Sequence, residues 1–362
     1  MENGKISTFK VAATYIGTVV GAGFASGQEM LQFFAVFGLK GFWGLIVVTV
    51  LFMVFGYIIM GIGRSLDAQS HLQIIKHSGG RFLSPLIDWL ITFFLFGALT
   101  AMIAGTGALA KQQFGINPLW GNLFMAIFTA LTVLTGIKGV INSISAVVPF
   151  LVTSAVGISI ASIFFISPQP NTYELVSVAK PLSTSVLISN WLWAAILYVS
   201  YNIVLAISVL GPLGVQAKNK SALRNGAILG GIGLGGSAIA IYFAMERNFE
   251  IVKDMEIPMI YLAGSLSYIL QIIYALVLIG EIYTTAVGSL YGFSARITDV
   301  NSNKAKFYII GATLLALAAS QLGFSNMVKY LYPIMGYGGV VLLVCLVISR
   351  FKPVKSTDGM EK

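Results

Sequence analysis

The stretch Val11 to Phe34, VAATYIGTVVGAGFASGQEMLQFF, constrains this chain most. It is a membrane-length apolar segment that is interrupted midway by glycines and polar residues and then resumes. In hydrocarbon, backbone N–H and C=O groups cannot go unpaired, so an unwound stretch survives only where it is buried in protein or lines a cavity. Gly17, Gly21 and Gly23 supply backbone free of side chains, and Ser26, Gln28 and Glu29 follow within two turns. The segment predicts a helix broken at membrane depth.

Composition sets the class in which that break must be read. Hydrophobic residues make up 57% of the chain and charged residues 10%, against roughly 25% charged in a soluble domain. This is the composition of an integral membrane protein, read here as one transmembrane unit over residues 1–362 rather than as two soluble domains. The net charge of +9 reflects basic residues gathered in loops on one side of a membrane, which argues against nucleic acid as a partner and for the lipid bilayer. Cys345 is the only cysteine, so no internal disulfide forms. The basic start MENGKISTFK has no small-residue cleavage signal after the following apolar run, and the first helix is expected to be retained.

At roughly 20 residues per crossing, the chain reads as ten spans. The interrupted helix is the first. The others are expected at about 44–63, 86–110, 119–136, 140–166, 186–210, 225–244, 267–293, 307–322 and 331–349. A connector with three of the ten prolines, SPQPNTYELVSVAKPLSTS, separates the fifth from the sixth. The short apolar segment IPMIYLAG is expected as a helical external loop lying at the interface.

Basic residues give the orientation. With the amino terminus in the cytoplasm, sixteen of the 22 basic residues fall inside and six (Lys40, Lys111, Lys180, Arg247, Lys253 and Lys329) outside. An even number of spans then returns the carboxyl terminus to the cytoplasm. The expected location is the cell inner membrane, with Trp43, Trp89, Trp120, Trp191 and Trp193 near span ends.

Five spans on each side of the connector make the halves, about 8–166 and 186–350, an inverted repeat, because an odd number per half starts the second on the opposite side. A broken first helix then predicts a broken sixth. In NWLWAAILYVSYNIVLAISVLGPLG, the residues Tyr198, Ser200, Tyr201 and Asn202 interrupt two apolar stretches at the equivalent depth. The alternative is a continuous helix with an aromatic and polar face. The fold class expected is all-α integral membrane: ten transmembrane helices as a 5+5 inverted repeat, with helices 1 and 6 discontinuous.

The pattern IGTVVGAGF (Ile16 to Phe24) resembles the first-helix glycine motif of the amino acid, polyamine and organocation transporters, and the 5+5 layout resembles the leucine-transporter fold they share. Over its whole length the chain is similar to the bacterial YkvI-type membrane proteins. Glycines four apart also mark ordinary helix packing, but packing does not explain Gly23, Ser26, Gln28 and Glu29 arriving together at midmembrane depth.

The resemblance implies a mechanism. Unwinding at Gly21, Ala22 and Gly23 would expose N–H groups at the start of the outer half-helix, where an anion such as a substrate carboxylate is favoured. Carbonyls freed in the sixth helix, at Tyr198 to Asn202, would face a substrate amine. The expected solute contacts are Gly21, Ala22, Gly23, Ser26, Glu29, Tyr198, Tyr201 and Asn202. The eighth span carries Glu281 with Thr284 and Thr285 on one side of the helix. A carboxylate at that depth costs roughly 2.5 to 3.5 kcal/mol on insertion scales and needs a partner or a cavity. By the same resemblance, carbonyls near Gly17 and Val20 and the hydroxyls of Thr284 or Thr285 would hold a coupling sodium ion, and Glu281 could carry a proton instead. Beyond such an ion, no cofactor and no metal are expected.

Glu29 reads either as a local cap or as a contact for a substrate amine, and Asp88 as a helix-dipole or interface residue. Enzyme readings fare poorly. The two histidines, His71 and His77, are six apart in what reads as a solvated loop, with no cysteine or paired carboxylate to join them. GGIGLGG and GAGFASG lack the lysine of a phosphate-binding loop. No catalytic residue is expected. The function expected is a cation-coupled secondary transporter of a small amino-acid-like or organic-cation solute working by alternating access; a transporter-like membrane receptor that binds its ligand without net transport is the alternative.

Overall fold

A computed structural model describes residues 5–68, 70–135, 148–166, 187–298 and 302–349. Of the fifth span only residues 148–166 are described; the Pro-rich connector, Lys138, Lys180 and the basic tail from Arg350 lie outside the described residues. The first segment folds as three pieces: α1 (Thr8–Val19), started by the Ser7 hydroxyl, α2 (Ala22–Ala25) and α3 (Gln28–Phe33). There follow α4 (Leu39–Ser65), α5 (His71–Phe114), α6 (Pro118–Leu134), α7 (Val148–Phe165), α8 (Trp191–Gln216), α9 (Lys220–Arg247), α10 (Pro258–Leu266), α11 (Tyr268–Ile297), α12 (Asn303–Ala319) and α13 (Phe324–Ser349).

Among the described residues, seven helices are long and apolar enough to cross a membrane, and α6 and α7 are shorter apolar helices. Their outward faces carry large apolar side chains, such as Ile232, Leu276 and Leu315. In water such a surface would aggregate; against acyl chains it is at ease. Trp43, Trp89 and Trp120 are exposed near the starts of helices or of a straight segment, as aromatic side chains at a membrane boundary are.

Close backbone approaches hold the bundle. A β-carbon at Gly63 would strike the backbone of Gly211, so α4 and α8 cross with little between them. The Tyr15 ring of α1 fills the space beside Gly56 of α4 and Gly230 of α9, and its hydroxyl donates to the carbonyl of Phe52 at 2.7 Å. One face of α1 is thereby clamped.

Three expectations need correction. The sixth span is not broken: α8 runs uninterrupted through Tyr198 to Asn202. No glycine lies at that depth, and the polar side chains bond to carbonyls of the intact helix and of the neighbouring α13 instead. Asn202 Nδ2 donates to the Tyr198 carbonyl at 2.9 Å, and Ser200 Oγ reaches the carbonyls of Leu197 (2.9 Å) and Gly336 (2.6 Å). Residues 71–79, read as a solvated loop, are helical and joined to the third span through a kink at Gly80 (φ 62°). There His71 Nε2 meets Arg296 Nη1 at 2.7 Å, while Arg296 also pairs with Asp88 and donates from Nε to Thr92 Oγ1 at 2.9 Å. Finally, IPMIYLAG is helical as α10, but it is buried against α7 and α11 and does not lie on the surface.

Candidate functional site

The first helix breaks one residue before the expected place. Val20 (φ −68°, ψ 119°) and Gly21 (φ −128°, ψ −177°) are extended, whereas Ala22 and Gly23, expected to unwind, already form the turn of α2. The turn closes because the N–H groups of Ala25 and Ser26 bond to the carbonyls of Gly21 (3.0 Å) and Ala22 (2.8 Å). A second break follows at Gly27, whose φ of 82° is left-handed and suits glycine. Ser26 shapes the bend: its hydroxyl donates to the Gly23 carbonyl at 2.9 Å and accepts from the Gln28 N–H at 3.2 Å.

The two glycines flanking Ala22 differ in what surrounds them. A β-carbon at Gly21 would meet no heavy atom within 4 Å, so open space adjoins the break. At Gly23 the same position is taken by the carboxyl group of Glu29, which folds back from the first turn of α3. Glu29 is 4% exposed and faces the phenols of Tyr198 and Tyr201 on α8. Glu29 Oε2 and both phenolic oxygens are buried and make no well-formed hydrogen bond. Around them the Phe33 and Tyr198 rings lie 5.6 Å apart, Tyr198 and Tyr201 5.5 Å, and Tyr201 and Tyr332 5.0 Å between centroids. The result is one acidic group inside an aromatic wall.

Of the residues expected to contact a solute, Gly23, Glu29, Tyr198 and Tyr201 lie together, and Gly21 and Ala22 precede them at the break. Asn202 lies one turn on in α8, where one N–H of its amide donates to the Tyr198 carbonyl at 2.9 Å. Phe33 and Tyr332 were missed. Phe33 reads as one apolar residue among many, and Tyr332 could have been suspected only from its place beside Pro333 and Gly336 at the start of an apolar run.

Below the break, α1 ends with the carbonyls of Gly17 and Val20 receiving no N–H among the described residues, as expected at a helix C-terminus. Thr14, Gly17, Thr18 and Gly21 lie on one face of this segment and are half-buried. Its two hydroxyls donate to carbonyls of their own helix, Thr14 to Lys10 at 2.8 Å and Thr18 to Thr14 at 2.7 Å. On α11, the Tyr274 hydroxyl donates to the carbonyl of Ala25, fixing α11 against α2. Glu281, seven residues on, shares the Tyr274 face about 10 Å further along the axis. It is 2% exposed, its Oε1 accepts from Thr285 Oγ1 at 3.3 Å, and its Oε2 is buried without a partner. Thr284 instead bonds the backbone carbonyl of Glu281 at 3.0 Å. Thr285 is the hydroxyl turned to the carboxylate.

The other side of the break is closed. The Met259 N–H of α10 donates to the Ser26 carbonyl at 3.0 Å, and the Met245 and Met259 side chains cover Gly27. Gln112 holds the start of α10 by two bonds to the backbone of Ile257 (2.8 and 3.0 Å), Glu256 accepts from the Phe324 N–H at 3.1 Å, and Gln28 donates to Ser325 at 2.7 Å.

No protein-family model matches the chain. It is similar to the membrane protein YkvI of Bacillus subtilis (strain 168), with 28% identity over 350 residues that cover 97% of this chain and 98% of YkvI. YyaD of the same organism is 29% identical over 333 residues, 92% of this chain and 94% of YyaD. Among solved structures, the substrate-bound outward-open state of a Na+-coupled sialic acid symporter matches with a TM-score of 0.64 and 13% identity, covering 95% of this chain and 80% of that one. Inward-facing Mhp1 matches with a TM-score of 0.62 and 13% identity, covering 94% of this chain and 75% of Mhp1. The chain is a multi-pass membrane protein with the leucine-transporter fold, similar throughout its length to YkvI.

Proposed function

We propose that this YkvI-like chain is a cation-coupled secondary transporter of a small amino-acid-like or organic-cation solute. In this reading it lies in the cytoplasmic membrane with both termini inside, as a 5+5 inverted repeat in which α1 to α3 form the first span and α8 the sixth. The observation that carries the proposal is the buried Glu29 carboxyl, set against Gly23 and facing two phenols with which it makes no well-formed hydrogen bond, in a helix that is interrupted at Gly21. An acid at that depth with no cation beside it is costly unless a ligand or a proton answers it.

The mechanism follows from the asymmetry of the break. The solute amine binds Glu29, with Tyr198 and Tyr201 as hydroxyl partners. The coupling cation, sodium or a proton, binds at Glu281 and Thr285 with the carbonyls of Gly17 and Val20, which is the negative end of α1. In this reading both sites draw on the extended segment at Val20 and Gly21, so filling one stiffens the support of the other. The half-buried face of Thr14, Gly17, Thr18 and Gly21 is the route on one side. Release of the Met259 to Ser26 bond and of the Gln112 and Glu256 contacts opens the other.

Support also comes from the fold shared with Na+-coupled symporters. The test is uptake of labelled candidates into proteoliposomes under an imposed sodium or proton gradient. Saturable uptake that follows one gradient is expected, and binding without net movement would favour a receptor.

A further inference from the structure

We infer that the solute is an organic ammonium ion without a carboxylate. The inference rests on the site proposed above and narrows its substrate class.

Glu29 already occupies the place where a zwitterion's own carboxylate would have to lie. Its carboxyl group takes the volume against Gly23 and faces the α8 phenols. No ion pair involves Glu29 among the described residues; the pairs there are Lys253 with Glu250 and Arg296 with Asp88. A second carboxylate brought beside it would meet like charge in a poorly screened interior, with no cation to offset it. An ammonium group meets the opposite. It neutralises Glu29 and donates to buried oxygens that make no well-formed hydrogen bond: Glu29 Oε2, Tyr198 Oη and Tyr201 Oη.

The wall favours the same class. Phe33, Tyr198, Tyr201 and Tyr332 pack ring against ring beside the acid, and aromatic rings attract an alkylated cation. The volume against Gly23, beside the first N–H groups of α2, is filled by the Glu29 carboxyl, so an anion approaching them there meets like charge. The unbroken α8 frees no carbonyls, so recognition of the amine falls to side chains, with Glu29 the acid among them.

The experiment uses matched pairs that differ only by the carboxylate: phenethylamine with phenylalanine, isobutylamine with valine, and isoamylamine with leucine, together with tetramethylammonium. Each is titrated into the detergent-purified full-length protein with thermal stability as the readout. The amines should bind at least about tenfold more tightly than their amino acids. Glu29→Gln should abolish that preference, and Glu29→Asp should keep part of it. Tyr198→Phe, which keeps the ring and removes only the oxygen, serves as the second probe if Glu29→Gln does not fold; it should weaken the primary amines more than tetramethylammonium, which has no N–H to donate.

Amino acids binding as tightly as their amines, and losing affinity in Tyr198→Phe, would overturn the inference while leaving the site in place. Binding of either series that ignores both Glu29→Gln and Tyr198→Phe would overturn the site as well. Failure of every probe to bind at millimolar concentration would also overturn the inference.

Discussion

The Glu29 carboxyl rests on Gly23, six residues earlier in the chain, in the volume that a β-carbon there would need. The contact crosses the left-handed Gly27 and ties the two halves of the interrupted helix together. It also fixes where the acid points, because α8 closes the other side with Tyr198 and Tyr201.

Gly23→Ala should therefore act on binding more than on folding. The displaced atoms are the end of a flexible side chain, so overpacking should cost about 1–3 kcal/mol, while solute affinity should fall by about tenfold or more. Thermal melts and ligand titrations of Gly23→Ala, compared with Gly23→Ala/Glu29→Ala, separate the two. The double variant should recover stability without recovering binding.

Gly27 makes a different prediction. Its φ of 82° disfavours any side chain, and Met245 and Met259 leave 3.0 Å to a new β-carbon. Gly27→Ala should lower stability by about 1–2 kcal/mol from the backbone alone and should also loosen α10. Hydrogen exchange at residues 257–263 should rise in Gly27→Ala and in Gln112→Ala, which frees Ile257. Exchange that is unchanged in both would mean that α10 does not depend on the break.

The two threonines on α11 should behave unequally. Thr285 donates to the Glu281 carboxylate, whereas Thr284 serves its own helix. Thr285→Val and Glu281→Gln should shift the sodium or pH dependence of solute binding, and Thr284→Val should leave it nearly unchanged. Titrations at several sodium concentrations and pH values check this; equal responses from both threonines would contradict the assignment.

Arg296 should matter more than the acid it pairs with. The Asp88 side chain is 41% exposed and that of Arg296 11%, so the pair is partly screened and Asp88→Asn should cost about 0–1 kcal/mol. Arg296→Ala also strips His71 and Thr92 of their partner and should cost about 1–3 kcal/mol. Melting temperatures of the two variants give the order.

Much of this was legible in the chain. Glycines with no packing explanation gave the first break to within a residue, and an acid at membrane depth singled out Glu29 and Glu281 whatever surrounded them. The sixth helix was misread for a physical reason. Hydroxyls and amides at midmembrane depth can accompany an unwound backbone or satisfy an intact one, and the letters Tyr198 to Asn202 are the same in both cases; only the bonds to Tyr198, Leu197 and Gly336 carbonyls decide. Burial of α10 was hidden similarly, since an apolar nine-residue helix suits an interface as well as a lid. His71 looked solvated because its partner, Arg296, lies 225 residues away.

The most direct test of the account is the accessibility of residue 21. Cys345 is buried and is the sole cysteine, so Gly21→Cys in a Cys345→Ala background carries one thiol, facing the open space at the break. In sidedness-controlled proteoliposomes, a membrane-impermeant thiol reagent should label it from one face, and solute together with the coupling cation should change that rate markedly. A thiol at this position that reacts from neither face, or at a rate no solute and cation combination alters, would contradict a solute route through the interrupted helix.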